Sequence, residues 1–146
     1  MEGVEALMGH VYLFPVVGLV IGGLIAAAAC LAGYLLPQAL VAVVVIIATY
    51  RVCGINHIDG LADFGDGVMA HGSAEKKVQA MKDVSLGTGG AVFIAVLILA
   101  TFAILSSIPS PLLPLAIVGA EVSAKQSMVS FAAFSRSLQK GFGQIM

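Results

Sequence analysis

Three aspartates stand close together in the stretch Asn56-His57-Ile58-Asp59-Gly60-Leu61-Ala62-Asp63-Phe64-Gly65-Asp66-Gly67. Their i, i+4, i+7 spacing puts them on one helical face, within a sector of roughly 60° and over roughly 10 Å of the axis. The other side carries Ile58, Leu61, Ala62 and Val68, so the segment reads as a helix with one acidic and one apolar face. Carboxylates stacked in this way repel one another unless a cation or a basic partner sits among them. Hard oxygen donors select magnesium, manganese or calcium over zinc or copper. Magnesium takes only one or two carboxylates and fills its other positions with water or substrate phosphate. The stripe therefore suits a phosphate-bearing substrate bridged by metal. The plain alternative is a solvated face, but such a face would use glutamate, the better helix former. It would also have little use for Gly60, Gly65 and Gly67, which weaken a helix and let a ligand or another helix come close.

A second group of such residues follows in Ala80-Met81-Lys82-Asp83-Val84-Ser85-Leu86-Gly87-Thr88-Gly89-Gly90. Residues 74–83 read as a short helix with Ser73 as N-cap, broken by the Gly87–Gly90 run. That run serves as a hinge or as a backbone cradle for phosphate. Lys82, Asp83 and Ser85 beside it supply a cation, a fourth carboxylate and a hydroxyl. His57, two residues before Asp59, reads as a proton acceptor or as neutral packing beside the stripe, while His10 and His71 read as interfacial. Glu121 and Lys125, four residues apart in the favourable order, read as an intrahelical pair or as groups facing a polar cavity.

The elements that must position these residues belong to a membrane protein. Hydrophobic residues make up 60% of the chain and charged residues 10%, with a mean hydropathy of +1.05. A soluble domain carries about a quarter charged residues, so lipid has to be one of this chain's solvents. The net charge of −1 excludes a basic field for nucleic acid. Cys30 and Cys53 lack metal-site or disulfide spacing and read as small hydrophobes. Glu2 and Glu5 stand where a cleavable signal peptide would need positive charge, so none is expected.

Four segments are expected to span the bilayer: Tyr12–Leu36, Gln38–Val52, Gly90–Ile108 and Leu112–Phe134. The fold class is then all-α, a polytopic helical membrane protein with about four transmembrane helices and a cytoplasmic amphipathic acidic helix. Pro109, Pro111 and Pro114 mark an uncharged hairpin tip. Asp59, Asp63, Asp66, Glu75 and Asp83 all fall between the second and third spans, with Lys76, Lys77 and Lys82, and with Arg51 at the end of the second span. The positive-inside rule puts this stretch, both termini, Arg136 and Lys140 on the cytoplasmic side of the cell's inner or plasma membrane. Gly18, Gly22 and Ala26 form a stripe of small residues on the first span, expected to pack against another helix.

The two acidic motifs resemble those of the cobalamin synthase family, the adenosylcobinamide-GDP ribazoletransferases. His57-Ile58-Asp59-Gly60-Leu61-Ala62-Asp63-Phe64-Gly65-Asp66-Gly67 is similar to that family's H-x-D-G-x-A-D-x-x-D-G. Met81-Lys82-Asp83-Val84-Ser85-Leu86-Gly87-Thr88-Gly89-Gly90 is similar to its M-[KR]-D-[SV]-x-[LI]-G-T-x-G. Phe14-Pro15-Val16-Val17-Gly18 looks like its F-P-x-x-G, and Glu121-Val122-Ser123-Ala124-Lys125 and Lys140-Gly141-Phe142-Gly143 look like its later stretches. The family's members are longer, so residues 1–146 read as a single integral-membrane domain in shortened form, its C-terminal part absent.

The resemblance implies transfer of adenosylcobinamide phosphate from adenosylcobinamide-GDP to a hydroxyl of α-ribazole or its 5′-phosphate, releasing GMP in the nucleotide-loop step of cobalamin biosynthesis. It implies Mg2+ as cofactor, held among Asp59, Asp63, Asp66 and Asp83. Asp59, Asp63, Asp66, Asp83, His57 and Lys82 are the expected catalytic set, with the division between ligand and base left open. Gly60, Ser85, Gly87 and Thr88 are expected to contact cofactor or substrate phosphate. The partners implied are the two small-molecule substrates and the lipid bilayer, with self-association as a further expectation. Two other readings stay in view. Asp63-Phe64-Gly65-Asp66-Gly67-Val68-Met69-Ala70 matches the opening of the CDP-alcohol phosphotransferase pattern D-x-x-D-G-x-x-A-R, but His71 replaces its arginine and the downstream acidic pair is missing. A cation-binding half of a transporter would place acids at mid-membrane with a symmetry-related second set, and no internal repeat is present.

Overall fold

The computed structural model describes residues 10–134, so Glu2, Glu5, Arg136, Lys140 and the stretch from Lys140 to Gly143 lie outside the described residues. After a single turn of 3-10 helix at Val11–Leu13 come α1 (Phe14–Gly33), α2 (Gln38–Cys53), α3 (Asn56–Met69), α4 (Ala74–Ala80), α5 (Thr88–Ser107) and α6 (Leu113–Phe134). No strand occurs among the described residues, and the fold is all-α.

The breaks between helices have local causes. Pro15 sits in the first turn of α1, where its missing N–H leaves no bond unmade. Pro37 cannot continue a helix and takes an extended conformation (φ −66°, ψ 154°) as the N-cap of α2. Gly54, with φ of 77°, turns the chain by 96° between α2 and α3. A residue with a Cβ would be strained in that backbone conformation. The acidic helix therefore leaves α2 almost at a right angle.

The chain is a helical membrane protein, and among the described residues two helices qualify as spans, or three if one bent pair counts as a span, where four were expected. Both α1 and α5 have 20 residues and are apolar enough to cross. At 1.5 Å per residue each is about 30 Å long, which matches the hydrocarbon core. Alone, α2 is short for that task with 16 residues, and it qualifies only when joined to α3 as a broken span or re-entrant element. Although α6 is long enough at 22 residues, it carries Glu121, Lys125, Gln126 and three serines and does not qualify on composition.

The chain divides into two compact units. One joins α1, as far as Leu31, to the chain from Pro109 onward. There Gly18 and Gly22 are buried together with Ile25, Ala26 and Ala29, as the small-residue stripe predicts. A Cβ added at Gly18 would lie 2.7 Å from the Glu121 carbonyl oxygen, and one at Gly22 would lie 2.8 Å from the Val118 Cα. So α1 and α6 meet backbone to backbone, a contact no larger residue would permit.

The second unit, Ala32–Ile108, holds α2 to α5. Gln38 at the start of α2 donates from Nε2 to the carbonyls of Leu105 (3.1 Å) and Ile108 (3.2 Å), satisfying the C-terminal end of α5. At its other end α5 crosses α3 through glycine. A Cβ on Gly89 would lie 2.6 Å from the Gly65 carbonyl oxygen, and one on Gly90 2.8 Å from that of Ala62. Phe64 meets Phe93 edge-on beside the crossing, with centroids 6.2 Å apart. Lys77 of α4 donates to the Val68 carbonyl at 3.4 Å, placing a cation at the negative end of α3. The short helix ends at Ala80 rather than residue 83, and the chain leaves it through turns in which Lys82 N–H donates to Gln79 and Asp83 N–H to Ala80.

Candidate active site

The site is made by two segments of one unit. α3 brings Asp59 and Asp63 to one face, with Asp59 in the first turn, where the helix dipole favours a carboxylate. The link between α4 and α5 brings Met81 to Leu86 across from them. Together Asp59, Asp63, Met81, Lys82, Asp83, Val84, Ser85 and Leu86 line a cavity of about 390 Å³. At about 30 Å³ per water, that is room for roughly a dozen waters, or for a diphosphate with a hydrated cation.

Asp83 sits at the tip of a local turn. Its Oδ1 accepts the backbone N–H of Ser85 at 2.9 Å and the Ser85 hydroxyl. Both bonds favour the charged form, the hydroxyl more than the backbone, and hold the Asp83 carboxyl below the usual carboxylate range. The carboxylate is thus ionised and fixed by its own turn before any ligand arrives.

Asp66, one turn beyond Asp63, is engaged differently. Its Oδ2 accepts the N–H of Gly87 and its Oδ1 that of Gly90, each at 2.8 Å. Gly87 is the N-cap of α5 and has no side chain to cap it, so a carboxylate from α3 satisfies two donors of that helix. A Cβ at Gly87 or Gly90 would collide with that carboxylate. Asp66 also lines a smaller cavity of about 190 Å³ with Ala80, Asp83, Ser85 and Gly87. The Asp83–Ser85 turn is the wall shared by the two cavities.

The residues expected from sequence therefore separate. Asp59, Asp63, Lys82, Asp83 and Ser85 are brought together around the larger cavity, and Asp66 and Gly87 around the smaller. His57, Gly60 and Thr88 are exposed and line neither. The glycines of α3 divide too: Gly65 admits Phe93 and the α5 backbone, Gly67 admits Met81, and Gly60 faces open space. Sequence reading passed over Met81, Val84 and Leu86 as lining residues, although all three stand inside the second motif. Among the described residues no three or more His, Cys, Asp or Glu side chains gather closely enough to cage a metal. The donor set is two carboxylates on one face and a third across a cavity, hard oxygen donors of the kind that hold a cation only together with water or phosphate.

The family model described as Cobalamin-5-phosphate synthase matches residues 2–146. A relative in Methanococcoides burtonii, named adenosylcobinamide-GDP ribazoletransferase, is 38% identical over 100% of this chain and 58% of its own length. Relatives of the same name in Methanosarcina barkeri and Methanosarcina mazei are 41% and 42% identical, covering 94% and 96% of this chain and 53% and 54% of their own lengths. The chain thus spans little more than half the length of these curated relatives. No solved structure matches it.

Proposed function

The chain belongs to the cobalamin-5-phosphate synthase family, and from that premise we propose that its acidic cavity carries out adenosylcobinamide-GDP ribazoletransferase chemistry. A hydroxyl oxygen of α-ribazole or its 5′-phosphate bonds to the cobinamide-linked phosphorus of adenosylcobinamide-GDP. The pyrophosphate bond breaks, and GMP departs with its electron pair. The observation that carries this reading is the convergence of Asp59 and Asp63 from α3 with Lys82, Asp83 and Ser85 from the α4–α5 link on one cavity.

Asp59 and Asp63 are the residues that would hold Mg2+, with Asp83 facing them. When bound, the ion would neutralise the pyrophosphate and stabilise charge on the departing GMP. Lys82 presents an ammonium to a phosphate oxygen. A carboxylate not engaged by metal takes the hydroxyl proton, and Asp83, held in place by Ser85, lines the same cavity as Asp59 and Asp63. Lipid surrounds α1 and α5, and the cavity opens to the cytoplasm, on the side marked by Arg51, Lys76, Lys77 and Lys82. Self-association of the chain is part of the same reading.

The test is magnesium-dependent release of GMP from adenosylcobinamide-GDP and α-ribazole in liposomes. It compares this chain with Asp59→Asn, Asp83→Asn and a full-length relative. Turnover abolished by both substitutions is the expected result. Turnover by the relative alone, with magnesium still bound by this chain, would confine the chain to the metal site. Absence of both turnover and metal binding would overturn the reading.

A further inference from the structure

Asp66 stands in register with Asp59 and Asp63, yet its surroundings are unlike theirs. Both of its oxygens accept backbone N–H groups at 2.8 Å, from Gly87 and Gly90, and it is partly buried. A Cβ at either donor position would run into the Asp66 carboxylate, and at Gly90 into the Ala62 carbonyl oxygen as well. Around it the helices are locked, with Gly65 against Gly89 and Ala62 against Gly90. Each oxygen of this carboxylate spends one of its lone pairs on an N–H at the start of α5, so its direction is set by that helix end.

We propose that Asp66 is a positioning residue, which fixes the start of α5 and through it the wall of the cavity that Asp59 and Asp63 face. The link is short. Gly87, held by Asp66, follows two residues after Ser85, and Ser85 holds Asp83. Anchoring Gly87 therefore anchors the turn that carries Asp83 opposite Asp59 and Asp63. The proposal refines the metal site described above and rests on that reading for its metal arm only. Its helix arm stands independently.

The experiment uses the full chain in nanodiscs, with Mn2+ as an EPR-visible substitute for magnesium and amide hydrogen exchange read over Gly87–Ala91. Asp66→Asn replaces one acceptor oxygen with a donor that faces an N–H. It is expected to speed exchange at Gly87 and Gly90 about fivefold, the usual effect of a lost helix cap, while Mn2+ affinity stays within about threefold of the unsubstituted chain. Asp63→Asn should do the reverse, leaving exchange unchanged and weakening Mn2+ by at least about tenfold. Gly87→Ala, which alters no carboxylate but pushes Asp66 aside, should reproduce the Asp66→Asn pattern. Loss of Mn2+ in Asp66→Asn as deep as in Asp63→Asn, with exchange unchanged, would overturn the proposal. If the unsubstituted chain binds no Mn2+, the metal reading fails, and the exchange of Asp66→Asn and Gly87→Ala still decides the role of Asp66.

Discussion

Asp83 and Ser85 show how a single side chain sets the charge of the cavity. The Ser85 hydroxyl and N–H hold the Asp83 carboxyl below its usual range, so the turn is tightest when that carboxyl is ionised. The folded-state pKa is depressed, so the turn's contribution to stability is complete above the unfolded carboxyl's pKa of about 3.9. It is lost as pH falls through the lower folded value. Ser85→Ala removes the stronger of the two bonds and leaves the backbone one. In the metal-free chain the Asp83 carboxyl resonance should then titrate at higher pH than in the unsubstituted chain, and an unmoved midpoint would disprove the assignment. At this scale the sequence groups the acidic residues and hides how they divide. Helical spacing alone groups Asp59, Asp63 and Asp66 within one sector. Only the arrival of α5 draws Asp66 away, and its one clue in sequence was a helix start at Gly87 with no side chain to cap it.

Helix contacts follow the same logic of small residues. Association within lipid depends on close packing, so a methyl group at a backbone-to-backbone contact is felt directly. Gly18→Ala and Gly22→Ala each drive a Cβ into α6 and should destabilise the chain by about 1–3 kcal/mol, the usual cost of overpacking. Gly23 follows Gly22 directly and faces open space. Gly23→Ala should therefore be neutral or slightly stabilising, because alanine is the better helix former. Thermal unfolding of the three variants in detergent micelles checks this, and equal losses at all three positions would refute the packing assignment. The stripe Gly18, Gly22, Ala26 was legible because helical periodicity is a local property. The ends of the spans were less so. Residues 38–52 are apolar enough for a span, yet the helix stops at Cys53 and Gly54 redirects it by 96°. Hydropathy is blind to such a turn, whereas in α6 Glu121, Lys125, Gln126 and the serines bring the average below that of a span.

At the scale of the whole molecule, the distribution of charge makes a prediction about sidedness. With 20 residues, α5 starts at the cavity with Thr88 and ends at Ser107, about 30 Å away along its axis. If α5 crosses the bilayer, the cavity and the proline-rich tip lie on opposite sides. The cations Arg51, Lys76, Lys77 and Lys82 lie on the cavity side, whereas residues 106–114 carry no charge. The positive-inside rule then predicts that the cavity faces the cytoplasm, as the proposed nucleotide-linked substrate requires. Single cysteines at Lys76 and Ser110, introduced after Cys30 and Cys53 are replaced by alanine, read this directly with a membrane-impermeant maleimide. In intact cells Ser110→Cys should label and Lys76→Cys should not, and in inverted vesicles the pattern should exchange. The opposite pattern would move the cavity to the outer face and deny it cytoplasmic substrate. Labelling of both positions from one side would mean that α5, despite its length, does not cross.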